Sequence, residues 1–231
     1  MRSIPTDPWV WVRNRTLPLL LALVALIALH PIFTDTVSDQ PTALFPLAFA
    51  SVPLFGLVVL GSWKRALPLV AVFVGMIAWA WFGYRFDLEA ISRSPLELLA
   101  TAYFAYAAIA TGAVVLRSTA VLDDRVYGGL AVYLLIACMY ATLHRHISAV
   151  DPNAYWSTND GKICHLEWDD ALYYSCMTIT TVGFGDIVPR SSWARAATML
   201  EAASGVFVTV VFIARLATTP SHPGTPKHPA T

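Results

Sequence analysis

Apolar residues in this chain are gathered into runs about as long as a bilayer is thick, which limits its possible folds more than any other feature. A helix needs about 20 predominantly apolar residues to cross the hydrocarbon core of a membrane. Six segments meet or approach that requirement: residues 17–33, 43–63, 66–84, 95–116, 126–143 and 193–217. The composition agrees, with 57% hydrophobic and only 13% charged residues and a mean hydropathy of +0.59. Soluble domains carry about 25% charged residues. The expected fold class is therefore an all-α membrane protein with six transmembrane helices, embedded in the cell membrane.

The first run follows Arg13 and Arg15, as the core of a secretory signal would. No small-x-small cleavage site closes it, since the chain continues His30-Pro31-Ile32-Phe33, so it reads as a retained first helix. Residues 1–16 are then a short cytoplasmic N-terminus. Residues 218–231, rich in threonine and proline, cannot form a core and read as a disordered cytoplasmic tail. The net charge of zero and isoelectric point near 7.0 carry no footprint of nucleic-acid binding. Cys138, Cys164 and Cys176 lack zinc or redox spacing. The first and last lie in apolar surroundings as packed thiols, and Cys164 reads as an unpaired thiol in a polar loop.

Orientation follows the distribution of Lys and Arg. With the N-terminus inside, Arg2, Arg13, Arg15, Lys64, Arg65, Arg117, Arg125, Arg215 and Lys227 are cytoplasmic. Arg85, Arg93, Arg145, Lys162, Arg190 and Arg195 lie outside, together with most of the acidic residues, Glu97 among them. Both termini are thus expected in the cytoplasm. The run 95–116 contains no arginine, and Arg117 stands at its end. A voltage sensor needs several such charges in one helix, so strong voltage dependence is not expected.

Between the last two runs lies a long interval, residues 144–192. Connections of this length without structure of their own are usually functional. Its first half, from Arg145 to Lys162, is polar and turn-prone and is expected outside the membrane. Glu167, Asp169 and Asp170 then open a semi-apolar run, as suits a helix N-terminus. That run, about ten residues to Thr178, is too short to cross a bilayer. It reads as a re-entrant helix whose C-terminal partial negative charge, aimed at the membrane interior, would stabilise a cation.

Directly after it come Thr181-Val182-Gly183-Phe184-Gly185-Asp186 and, three residues on, Pro189. This hexapeptide resembles the selectivity-filter signature of potassium channels. Tyr173-Tyr174-Ser175 and Thr180-Thr181 resemble the same family's pore helix. The likeness covers residues 126–217, as outer helix, pore helix, filter and inner helix of a pore domain. It does not reach the four-helix region 17–117. Gly183-Phe184-Gly185-Asp186 alone would also suit an ordinary glycine turn; the re-entrant helix before it and a membrane helix on either side favour the filter.

What the resemblance implies can be put in physical terms. A dehydrating K+ needs oxygen ligands on all sides, and backbone carbonyls from four symmetric strands supply them. Carbonyls of consecutive residues reach one axis only if their dihedrals alternate, and glycine takes positive φ at little cost. By this likeness Thr181, Val182, Gly183 and Phe184 offer carbonyls to K+, and Gly185 completes the filter. Val182 and Phe184 are expected to turn their side chains away and pack on the pore helix. Asp186 is expected behind the filter, with Tyr173 or Tyr174 donating a hydrogen bond to it and Thr180 in support. Phe184 stands where tyrosine is more usual, which bears on filter rigidity.

Gly205, in the last run, lies where similar channels carry a hinge glycine; close helix packing is the alternative. Glu201 is a carboxylate inside a membrane helix, a costly placement, and reads as a scaffold residue hydrogen-bonded behind the pore helix. His144, His146 and His165 are expected as solvent-facing loop residues at the outer mouth. As metal ligands of a membrane enzyme they form a weak set, with no catalytic carboxylate, so no enzyme activity and no cofactor are expected beyond K+ as permeant ion. One pore loop per chain cannot close a ring, so the partners are three further copies in a homotetramer.

Overall fold

A computed structural model describes residues 16–28, 63–85, 89–117 and 122–217. The described elements are α1 (Leu17–Ala28), α2 (Trp63–Arg85), α3 (Glu89–Arg117), α4 (Leu122–Val150), β1 (Tyr155–Ser157), β2 (Lys162–Ile163), α5 (Trp168–Ile179), β3 (Ile187–Pro189) and α6 (Ser192–Ala217). Among the described residues, three stretches are long and apolar enough to cross a membrane: Pro95–Leu116, Asp124–Val150 and Ser192–Ala214. The chain is thus a mostly helical membrane protein. The expected second span, residues 43–63, lies outside the described residues but for Trp63. So do residues 29–33 of the first, the N-terminus before Thr16 and the tail 218–231.

Small residues let α3 and α4 approach closely and run antiparallel along their whole length. Ala107, Ala108, Ala131 and Ala141 are all buried, as suits membrane helix seams. Polar pairs mark the register. Glu97 meets Arg145 at 3.3 Å, and Thr101 Oγ1 lies 2.9 Å from Thr142 Oγ1. Toward the other end, a Cβ on Gly128 would stand 2.4 Å from Val115. Helix α2 packs on α3, and α1 packs on α4.

The start of α1 is tied to the start of α4. Thr16 accepts the first helical bond, from Leu20 N at 3.1 Å, while its own amide donates to Asp124 Oδ1 at 2.9 Å. Its hydroxyl lies 2.7 Å from both the backbone oxygen and Oδ1 of Asp124. Leu19, Leu23 and Leu26, spaced to share one helical face, are buried. Both N-termini therefore lie at the same level.

Three features differ from the sequence expectation. Helix α4 runs on to Val150 instead of ending at Leu143, because its polar continuation finds partners inside the protein: His144 on α6 and β1, Arg145 on α3. Helix α3 begins at Glu89, ahead of the expected start at Pro95, and passes through that proline. The third is a small sheet of order β2-β1-β3, antiparallel throughout, with Trp156 opposite both Ile163 and Val188. Strands of two or three residues leave no alternating pattern to read. The sheet joins the segment after α4 to the segment that follows Asp186.

The glycine loop after helix α5

Helix α5 has twelve residues, about 18 Å of length at 1.5 Å per residue. It cannot cross a bilayer. Asp169 and Asp170 occupy its first turn, where the helix dipole favours negative charge. Partial burial, then the neighbouring Asp169 and Glu167, push the Asp170 carboxyl above the usual carboxylate range. At the other end the chain folds back over its own last turn. Thr180 Oγ1 donates to Cys176 O at 2.6 Å, Thr181 N to Thr178 O at 2.9 Å, and the amides of Val182 and Gly183 both to Met177 O at 3.0 Å.

Beyond this cap every second residue has positive φ: Thr181 at 62°, Gly183 at 48° and Gly185 at 77°. Alternation in the sign of φ is the pattern that lets successive carbonyls face one side of a chain segment. Open space surrounds the position a Cβ would take on Gly183 or Gly185, so their dihedrals, and not crowding, demand glycine. Thr181 is β-branched and bears the same sign of φ with strain, a feature that costs on the order of 1–3 kcal/mol and clusters at functional sites.

Among the described residues, no hydrogen bond ends on the carbonyl oxygens of Thr181, Val182, Gly183 or Phe184. The next carbonyls are taken. Thr158, just past β1, donates its hydroxyl to Gly185 O at 2.8 Å and its amide to Asp186 O at 2.8 Å. Nothing in the local sequence marks Thr158, a polar residue in a polar turn; only the sheet carries it to the loop.

Tyr173 Oη donates to Asp186 Oδ2 at 2.6 Å, and Asp186 Oδ1 accepts from Ile187 N at 3.0 Å. Tyr174 points elsewhere, with its hydroxyl 2.7 Å from Thr198 Oγ1 and its ring edge-on to His144. Val182 and Phe184 are 51% and 71% exposed in the single chain. Gly205 lies against the end of α5, where an added Cβ would stand 2.4 Å from Ile179 O. Tyr133 Oη donates to that same oxygen at 2.7 Å.

His144 and His146 depart from the expected loop positions and lie in α4, whereas His165 is exposed in the loop after β2. His144 is fully buried, bonded to Tyr155 and to Glu201. His146 lies 3.9 Å from Glu97, and His165 lies 3.5 Å from Ser148 Oγ. Glu201, also buried, is reached by Ser175 of α5 as well as by His144. Cys138, Cys164 and Cys176 are free thiols.

Known proteins bear directly on this geometry. A family model described as "Ion channel" matches residues 130–221, which hold most of α4, the sheet, α5, the loop and α6. The potassium channel protein kcv of Paramecium bursaria Chlorella virus 1 is 30% identical over 82 residues, 36% of this chain and 80% of that protein. No solved structure matches the chain. From this likeness, the three apolar spans and the glycine loop between two of them, the chain belongs to the potassium channel family.

Proposed function

We propose that four copies of this chain enclose a potassium-selective pore through which K+ crosses the membrane passively. The observation that carries this reading is the row of four unspent carbonyls, Thr181 to Phe184, above dihedrals that alternate in sign. One chain offers oxygens from one side only. A K+ stripped of water needs them all around, and a fourfold ring supplies them. The exposed Val182 and Phe184, with Val206 and Phe207 on α6, are the apolar surfaces a neighbouring copy would cover. The C-terminal end of α5 adds partial negative charge at the inner end of the row.

The pore domain in this reading comprises residues 126–217, with Gly185 closing the filter and Asp186, Tyr173, Tyr174 and Thr180 behind or beside it. Bending of α6 at Gly205 would draw it off Ile179. Residues 17–117 form the four-helix region, and six crossings in all fit the described ends. The starts of α1 and α4 lie together at Thr16 and Asp124, so an even number of crossings separates them. The expected spans 17–33, 43–63 and 66–84, with α3, supply four. Both termini then face the cytoplasm of a cell whose membrane holds the channel. No basic residue lies between Arg93 and Arg117, so steep voltage dependence is not expected.

Flux from liposomes holding the purified protein tests the reading, with K+ and Na+ gradients compared. K+ flux should far exceed Na+ flux and vanish in Gly183→Ala, whose Cβ opposes the positive φ. Equal flux of both ions, or an unaffected variant, would overturn it.

A further inference from the structure

A single hydroxyl proton shared between two acceptors bonds each of them weakly, and Ser175 stands between two. Its Oγ lies 2.7 Å from the carbonyl of Ala137 on α4 and in close hydrogen-bonding contact with Glu201 Oε1 on α6. The other carboxyl oxygen, Oε2, is 2.8 Å from His144 Nε2, and His144 Nδ1 is 2.7 Å from Tyr155 Oη. His144, Tyr155, Ser175 and Glu201 are each 0% exposed.

Counting protons distinguishes the possible states. An ionised Glu201 can only accept, so Ser175 would have to share its one proton between Ala137 and the carboxylate, weakening both bonds, or give one of them up. If His144 carried the compensating charge, its Nδ1–H would face Tyr155 Oη. The tyrosine proton would then lack an acceptor among the described residues. A neutral Glu201 resolves both conflicts. Tyr155 donates to Nδ1, Nε2–H donates to Oε2, Oε1–H donates to Ser175, and Ser175 donates to Ala137. Every proton and every acceptor is used, with no net charge.

Among the described residues, the groups around the cluster that the hydrogen bonds identify bring no further charge to it. Tyr133 donates to Ile179, Tyr174 bonds Thr198, Tyr140 bonds Ser204, and Cys176 is a free thiol. Arg145 is engaged by Glu97 and Glu167. A lone buried carboxylate is costly in such surroundings.

We infer that Glu201 carries a proton and, as a neutral acid, is a positioning residue that fixes α5 against α4 and α6. Its effect on ion selection rests on the pore reading above; its protonation does not. Glutamine reproduces the donors and acceptors of the acid, whereas leucine keeps the bulk and removes both. In the purified full-length protein at neutral pH, infrared spectra should contain a carboxylic-acid carbonyl band that shifts in heavy water and disappears in Glu201→Gln. In liposomes that variant should keep the K+ over Na+ flux ratio within about twofold, while Glu201→Leu lowers it about tenfold, as befits the loss of two buried hydrogen bonds.

If Glu201→Gln removes no such band, or damages selectivity as much as leucine, the inference is overturned. Should the leucine variant not fold, the glutamine variant and the spectrum still decide. Should the wild type show no K+ preference, the pore reading fails, and the band alone decides the proton.

Discussion

Asp186 and Gly185 are held from two directions, by Tyr173 on α5 and by Thr158 beyond β1. With Phe184 the loop has no hydroxyl of its own at that position, so these outside donors fix its outer end. Tyr173→Phe removes a charge-assisted bond, and the partial exposure of Tyr173 limits the effect to about 1 kcal/mol. We expect K+ flux that runs down faster in this variant, with less change in Tyr174→Phe, whose partner is Thr198. Flux decay in liposomes at matched protein load compares the two; equal decay would remove the Tyr173–Asp186 bond from the account. Gly205 is the second residue whose role can be measured. A methyl placed 2.4 Å from Ile179 O must push α6 off α5, and overpacking of this kind costs about 1–3 kcal/mol. Gly205→Ala should lower the melting temperature. A hinge without a packing role would alter opening and leave melting unchanged.

Among the elements, α5 is defined by its ends. Its last carbonyls are capped by the amides of the loop it presents, so helix and loop form one unit. Its first turn crowds Asp169 and Asp170 beside Glu167. The Asp170 carboxyl lies above its ordinary value, through partial burial first and neighbouring acids second. The folded state therefore prefers the protonated form. The stability this adds is complete below the unfolded value and is lost as pH rises through the higher folded value. At neutral pH the ionised group opposes folding. Asp170→Asn should raise the melting temperature at pH 7, and the gain should shrink on acidification across the carboxylate range. A gain that is the same at both ends of that range would mean Asp170 does not titrate above its ordinary value.

At the scale of the whole molecule, one chain leaves large apolar surface uncovered. Phe184, Phe207, Val210 and Ile213 are each more than half exposed. Lipid or neighbouring copies must cover them in a membrane. The pore reading makes some of that surface an interface, since carbonyls from one chain cannot surround an ion. Native mass spectrometry of the detergent-solubilised protein should therefore give four chains of 25.2 kDa. A monomer at every concentration would leave the carbonyl row one-sided and overturn the proposed pore. The antiparallel seam of α3 and α4, with α1 fastened at Thr16, joins the described N-terminal helices to the pore side of each copy.

Run length and hydropathy marked the three candidate spans found among the described residues, because crossing a bilayer is a demand on composition alone. The alternation of glycines marked the loop, because positive φ is a demand on single residues. Both are local, and both are legible in the chain. The roles of His144 and Thr158 are not. A histidine beside an arginine after an apolar run reads as the start of a loop, until Glu201 and Tyr155, distant in sequence, are brought against it. Thr158 is one polar residue among several until the sheet sets it beside Gly185. Tyr173 and Tyr174 are equivalent by spacing; the rotation of α5 gives the first to Asp186 and the second to Thr198. Sequence states what each residue requires of its surroundings, and only the tertiary structure determines which distant group meets the requirement.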